Sequence, residues 1–474
     1  MLLPQSVPAL DSLLNSLRNQ KTDLLHQLEK IDSDIAAAEM KRAKIINDAA
    51  FVYRLPPELL SHIFLLCQKD EPAFQLIAAR VCSPWRVLAV GTRTLWTDIR
   101  ISVIEQSHIQ PGLDKMETYL SRSGPSSLFA VRLDVVDDLE FAPFMKLIAT
   151  HISRCAYLSV HASAHEQACS LLGEHLESLR APHLSYLALH VNWAGGDYDS
   201  MMFGTPSIFK AGVPSLNVLQ LTGIASVLRP PISGAITTLY LDGVYMMELT
   251  VFEYCKILAA NHSLVNLSLH RISIDIDHSM STHSRAVELP MLRSLRIRTN
   301  AIEPASNKAL LNVLPLSRLE SLVLYEVDNL YLSEFPNVKD LSLHRCGFPP
   351  NQIDHLLLAF PSVVRLTLES DSLLYMALGM HHEPTMMWPK LRTLCIQGLQ
   401  HSYAPALLML VQERSKMNCP LESLYFDSSC HGWAVDTLRA ITTLTKFSYT
   451  YDYLDPWPPG SDMDSVHRDN FWEG

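Results

Sequence analysis

One spacing returns eleven times along this chain: an apolar residue, two variable residues, an apolar residue, one variable residue and a third apolar residue. Its clearest copies are Leu216–Leu219–Leu221, Leu264–Leu267–Leu269, Leu292–Leu295–Ile297, Leu319–Leu322–Leu324, Val338–Leu341–Leu343 and Leu391–Leu394–Ile396. Others begin at Leu184, Ile236, Val363, Leu421 and, more weakly, Leu444. The steps from copy to copy are 32, 20, 28, 28, 27, 19, 25, 28, 30 and 23 residues. Each copy supplies one short strand whose alternate side chains face inward. No single copy can bury its apolar face alone, so the copies must stack on one another.

A period of about 20–29 residues built on LxxLxL is that of a leucine-rich repeat. The expected fold is therefore an α/β solenoid, a horseshoe, and the expected role is to hold something. At 474 residues the chain exceeds the roughly 250–300 at which one compact core stops growing, a limit that a stacked array avoids. A net charge of −11 argues against a nucleic-acid surface, which needs clustered Lys and Arg. The nine cysteines are scattered with no CxxC pair, as in a reducing cytoplasm or nucleus. Neither a signal peptide nor a run of 18 apolar residues is present, so no membrane partner is expected.

The N-terminal segment has a different period. Leu10, Leu14, Leu17, Lys21, Leu24, Leu28, Ile31, Ile35, Ala38, Arg42 and Ile45 alternate steps of four and three, which predicts one long amphipathic helix over 8–50. A homodimeric coiled coil is one reading and packing against its own chain or another protein is the second. If Leu14 is an a position, Lys21 and Arg42 also fall at a. Asp34 would then face Glu39 of a parallel partner, which favours the second reading.

Next comes Leu55-Pro56-Pro57-Glu58-Leu59-Leu60-Ser61-His62-Ile63-Phe64-Leu65-Leu66. The prolines end the first helix and Pro57 can start another. Further on lies Val81-Cys82-Ser83-Pro84-Trp85-Arg86-Val87-Leu88-Ala89, where Ser83 is a candidate N-cap, and then Thr94-Leu95-Trp96. In order and spacing this segment resembles an F-box, and the whole layout resembles F-box proteins of the leucine-rich-repeat type. Pro84 departs from the pattern, since many boxes carry a basic or polar residue there, but it suits a helix start.

The resemblance implies a substrate receptor of an SCF-type (Skp–cullin–F-box) ubiquitin ligase, a non-catalytic adaptor. It also implies that Leu55, Pro56, Leu59, Ile63, Phe64, Val81, Trp85 and Leu88 bind the Skp adaptor, and a cullin through it. Leu95 and Trp96 would close the module. Trp85, Leu88 and Trp96 have a second reading, as the module's own core.

These readings divide the chain into a helix over 8–50, an F-box over 51–100, a connector over 101–125, repeats over 126–452 and a flexible tail over 453–474. From Tyr451 on, the chain has six acidic residues against one basic. On the concave sheet the residues beside the buried leucines would meet a target protein, whose identity the sequence does not give. Tyr240, His270, Arg296, Arg298, Tyr325, His344 and Arg365 are the candidates, because Tyr and Arg are common interface anchors.

No phosphate-binding loop, nucleophile elbow or paired-cysteine zinc motif occurs, so no cofactor, metal or catalytic residue is expected. His161/His165, His381-His382-Glu383 and Cys430-His431 lack the partners that a site needs. The alternatives to a ligase subunit are an interaction scaffold without a ubiquitin role and a repeat receptor for a small molecule.

Overall fold

Fourteen parallel strands, stacked in chain order, form one sheet among the residues that the computed structural model describes. Those residues are 6–136, 141–163, 168–192, 207–225, 228–231, 233–243, 248–275, 287–298, 310–327, 334–348, 353–369, 388–398, 404–426, 435–449 and 457–459. The chain forms two compact units, Met1–Trp96 and Thr97–Gly474.

The first unit is helical. Helix α1 (Ser6–Ala49) is 44 residues long, or about 66 Å at 1.5 Å per residue. It is followed by α2 (Pro57–Asp70), α3 (Phe74–Val81) and α4 (Ser83–Gly91). Pro57 starts α2, and Pro84 lies in the first turn of α4. The cap of α4 is Cys82 rather than Ser83, so that helix starts one residue early and has no side-chain cap bond. Along α1 the apolar stripe from Leu10 to Ile45 is exposed.

The second unit begins with β1 (Asp98–Val103), α5 (Ile109–Ser123), β2 (Phe129–Val135), α6 (Ala142–His151), β3 (Cys155–Ser163), α7 (Ala168–Leu176) and β4 (Tyr186–Asn192). Then come β5 (Val218–Thr222), β6 (Thr238–Asp242), β7 (Glu248–Thr250), α8 (Val251–Ala259), β8 (Asn266–His270), β9 (Ser273–Asp275) and β10 (Ser294–Arg298). The last strands are β11 (Ser321–Tyr325), β12 (Asp340–His344), β13 (Arg365–Glu369), β14 (Thr393–Gln397), β15 (Ser423–Phe426) and β16 (Lys446–Tyr449). Strands β7 and β9 pair with each other, apart from the main sheet.

The repeat leucines occupy the positions that their spacing demands. Leu187, Leu219, Leu239, Leu267, Leu295, Leu322, Leu341, Leu366, Leu394 and Leu424 form one buried row in register across neighbouring strands. Just before each strand a second ladder of backbone bonds runs across the repeats, from Asn217 N to Ser185 O and onward through Thr237, Val265, Arg293, Glu320, Lys339, Val364 and Arg392. Stacking thus satisfies both the apolar faces and the backbone polar groups of each copy.

The sheet starts earlier than the sequence indicated. Ile99, Ile101 and Val103 alternate buried with exposed neighbours, and β1 pairs with β2 from Asp98↔Ala130 to Val103↔Val135. The expected connector over 101–125 therefore holds the end of a strand and helix α5.

Candidate functional site

In the helical unit, short helices hold some apolar residues inside and leave others out. Phe64 is 0% exposed and packs against Phe74 at 5.7 Å and Trp85 at 4.9 Å between ring centroids. Leu60, Ala78, Ala89, Leu95 and Trp96 are buried with it. Trp96 Nε1 donates to Ala89 O at 2.8 Å, and Gln68 Nε2 donates to Leu95 O at 2.8 Å and to the buried Gln75 Oε1 at 3.2 Å.

Of the expected adaptor contacts, Leu55, Pro56, Leu59, Ile63 and Val81 are exposed, and Trp85 and Leu88 are half-buried. Phe64 corrects the expectation: it belongs to the core, because its ring fills the space between α3 and α4 and no surface remains to touch a partner. Leu66, Ile77, Val87 and Val90 are exposed as well, with Val87 at 71%. Ile77 stands i, i+4 from Val81 on α3 and Val87 stands i, i+3 from Val90 on α4, a helical spacing that reaches beyond the motif residues.

On the sheet, the face opposite the leucines carries three registered rows of polar and aromatic side chains. One row runs Tyr157, Tyr186, Val218, Thr238, Asn266, Ser294, Ser321, Asp340, Arg365. The next runs Ser159, Ala188, Gln220, Tyr240, Ser268, Arg296, Val323, Ser342, Thr367. The third runs His161, His190, Thr222, then Asp242, His270, Arg298, Tyr325, His344, Glu369. Strands about 4.8 Å apart bring long side chains of adjacent repeats into contact.

The third row is a chain of charge pairs. Asp242 accepts two bonds from Arg271, at 2.9 and 2.8 Å, and its carboxylate lies 3.4 Å from His270 Nδ1. Burial would raise the Asp242 carboxyl, but the bonds and charges of His270 and Arg271 outweigh it and hold it below its ordinary value. Burial lowers His270 despite Asp242. Burial and the nearby His161 push His190 down to about 4. His161 Nδ1 lies 2.8 Å from Asp134. Further along, Arg298 Nε donates to Glu326 at 3.4 Å and its guanidinium lies 4.4 Å from the Tyr325 ring centroid. Glu369 meets both His344 Nδ1, at 3.2 Å, and Arg345 Nε, at 3.1 Å, and the His344 bond leads the influences that lower its carboxyl.

The middle row centres on Arg296. Its Nε donates to Ser268 Oγ at 2.7 Å, and its guanidinium lies 5.2 Å from the Tyr240 ring centroid and 4.3 Å from that of Trp457. Burial takes this guanidinium down to about 9. Trp457 Nε1 donates to Ser294 Oγ at 3.0 Å, and its indole meets Tyr240 edge-on at 5.1 Å. The sequence predicts a flexible tail over 453–474. Trp457 is instead half-buried on the sheet, held by a hydrogen bond, a cation–π contact and a ring contact.

All seven expected target-binding residues face one surface. His270, Arg296, Arg298, Tyr325 and His344 are buried within the network, whereas Tyr240 and Arg365 are half-buried. They form a preorganised face rather than a set of free charges. His165, His381–Glu383 and Cys430-His431 lie outside the described residues. Among those described, no three His, Cys, Asp or Glu side chains are placed to hold a metal, and no helix is long and apolar enough to cross a membrane. A cavity of about 450 Å³ lies beside α8, lined by Phe209, Leu228, Phe252, Ile257 and Asn261 among others.

These features define a class: a parallel-strand, leucine-rich-repeat solenoid joined to a small helical module with exposed apolar side chains. Residues 52–102 match the F-box-like family, so the chain carries an F-box-like domain ahead of its repeats. A leucine-rich repeat-containing protein of Legionella pneumophila, LegL7, is structurally similar at 16% identity, covering 50% of this chain and 84% of that one with a TM-score of 0.33. No curated protein sequence matches the chain.

Proposed function

We propose that this chain is the substrate-recognition subunit of an SCF-type ubiquitin ligase. Its F-box-like domain docks on a Skp adaptor, and through it on a cullin, while the repeat sheet holds a target protein. It performs no chemistry of its own and works in the cytoplasm or nucleus. The observation that carries the reading is the partition of apolar residues in the helical unit. Phe64, Leu95 and Trp96 fill its core, while Leu55, Leu59, Ile63, Leu66, Ile77, Val81, Val87 and Val90 stay exposed. Eight large apolar side chains left out on so small a module mark a surface made to be covered. F-box domains in general bind Skp adaptors, which names the cover.

The test is target turnover in cells. Proteins captured with the tagged wild-type chain should be short-lived, and a Leu55→Ala/Pro56→Ala variant should still capture them while their half-lives lengthen. Captured proteins with unchanged half-lives would overturn the ligase reading and leave an interaction scaffold.

A further inference from the structure

Trp457 comes from a part of the chain with no repeat spacing, yet it is held at four points on the polar face of the sheet. Its Nε1 reaches Ser294 Oγ, its ring lies over the Arg296 guanidinium, and Tyr240 meets it edge-on. It also packs against the buried pair Val323 and Tyr325. The receiving residues come from β6, β10 and β11, and Ser268 of the adjacent strand β8 accepts a bond from Arg296. Among the described residues Arg296 is one of the largest side chains to be fully buried, so its cation–π contact is of the desolvated, stronger kind. An indole is the side chain that best meets these demands together, since it offers both a large π-face and a donor. The flanking sequence is acidic and proline-rich: Asp455 and Pro456 precede Trp457, and Pro458, Pro459, Asp462 and Asp464 follow it.

We propose that Tyr240, Ser294, Arg296, Val323 and Tyr325 form an indole-binding slot, filled in this chain by its own Trp457, which a target enters by presenting a tryptophan from an acidic, proline-containing segment. The proposal rests on the reading of this face as the target surface and adds the chemistry recognised there. It also gives the chain a guard against casual partners. A tethered segment competes at an effective concentration on the order of millimolar, so a target must match the slot well to displace it.

The experiment uses the full chain and a fluorescein-labelled peptide of residues 452–464, followed by fluorescence anisotropy. Trp457→Ala empties the slot, and that variant should bind the peptide at least about tenfold more tightly than wild type, in which the tethered segment competes. A peptide with Trp457→Ala should not bind. Adding Arg296→Lys to the emptied chain keeps the charge but removes the planar guanidinium, and peptide binding should fall at least about tenfold. Variants are compared only where their melting matches that of wild type, and Ser294→Ala replaces Arg296→Lys if the latter does not fold.

A folded Trp457→Ala chain that ignores the peptide up to about 1 mM would overturn the proposal. So would equal binding to the wild-type and emptied chains, or to the two peptides. Skp capture of the same Trp457→Ala chain is measured in parallel. Lost capture with intact peptide binding sinks the ligase reading and leaves the slot standing, and the converse sinks the slot alone.

Discussion

Gly243 follows β6 where the next repeat passes close by: a Cβ built there would lie 2.3 Å from the Arg271 carbonyl oxygen. Gly243→Ala must push two backbones apart, and overpacking of this kind costs about 1–3 kcal/mol. Its melting temperature should fall clearly below that of Gly91→Ala, where nothing lies within 4 Å of the new methyl. Equal melting of the two variants would contradict the close approach. The residue just after a strand also repeats a left-handed backbone at Gly223, Arg271, Glu326, Arg345 and Gly398, with φ between 49° and 72°. Three of these are not glycine, and for an L-residue this conformation costs roughly 1–2 kcal/mol. Each is held by a partner: Arg271 by Asp242, Glu326 by Arg298, Arg345 by Glu369. No sequence pattern announced this turn, because pairing between repeats replaces the usual glycine signal.

His190 gives the residue scale a pH dependence. Its folded value of about 4 lies below the unfolded one of 6.5, so between these the unfolded chain binds the extra proton. The stability tied to its neutral ring is full above about 6.5 and is lost as pH falls toward about 4. His161 beside it opposes protonation, and Asp242 opposes the shift. Melting should therefore fall between pH 7 and 5 in wild type, and His190→Asn should flatten that fall. An unchanged slope in the variant would remove His190 as its source.

At the scale of elements, the strands were legible because each buries alternate leucines with a period that nothing else in the chain shares. The F-box-like helices were legible through their prolines and order. What the residue types did not show was which apolar side chain faces which way: Phe64 and Leu59 both sit on α2, yet one is 0% exposed and the other 54%. Phe64→Ala should cost about 3–5 kcal/mol and unfold the module, as lost helical circular dichroism and fast proteolysis. Leu59→Ala should leave both unchanged. A Phe64→Ala chain as stable as wild type would return this residue to the surface. Helix α1 makes a separate case. With its stripe exposed, Lys21 and Arg42 at a positions are what opposes self-pairing. Sedimentation should find the wild-type chain monomeric at micromolar concentration, and Lys21→Leu/Arg42→Leu should shift it to a dimer. A wild-type dimer would restore the homodimeric coil.

For the whole molecule, the sequence disclosed the succession of box and repeats, since each announces itself by local spacing. It did not disclose the docking of Trp457 against Ser294, 163 residues earlier in the chain. One tryptophan in an acidic, proline-rich stretch has no period, and its partners lie on three strands. The early start of the sheet was hidden differently, because β1 begins at Asp98, inside the segment 52–102 that matches the F-box-like family, and its alternation reads as part of the box.

The exposed apolar residues of the box are the proposed adaptor surface. The direct measurement is co-expression of the full chain with a Skp adaptor, comparing capture by wild type, Leu55→Ala/Pro56→Ala and Ile63→Asp. The account predicts a stoichiometric complex with wild type that both variants lose while their melting stays that of the wild-type chain. A folded wild-type chain that captures no Skp would contradict it.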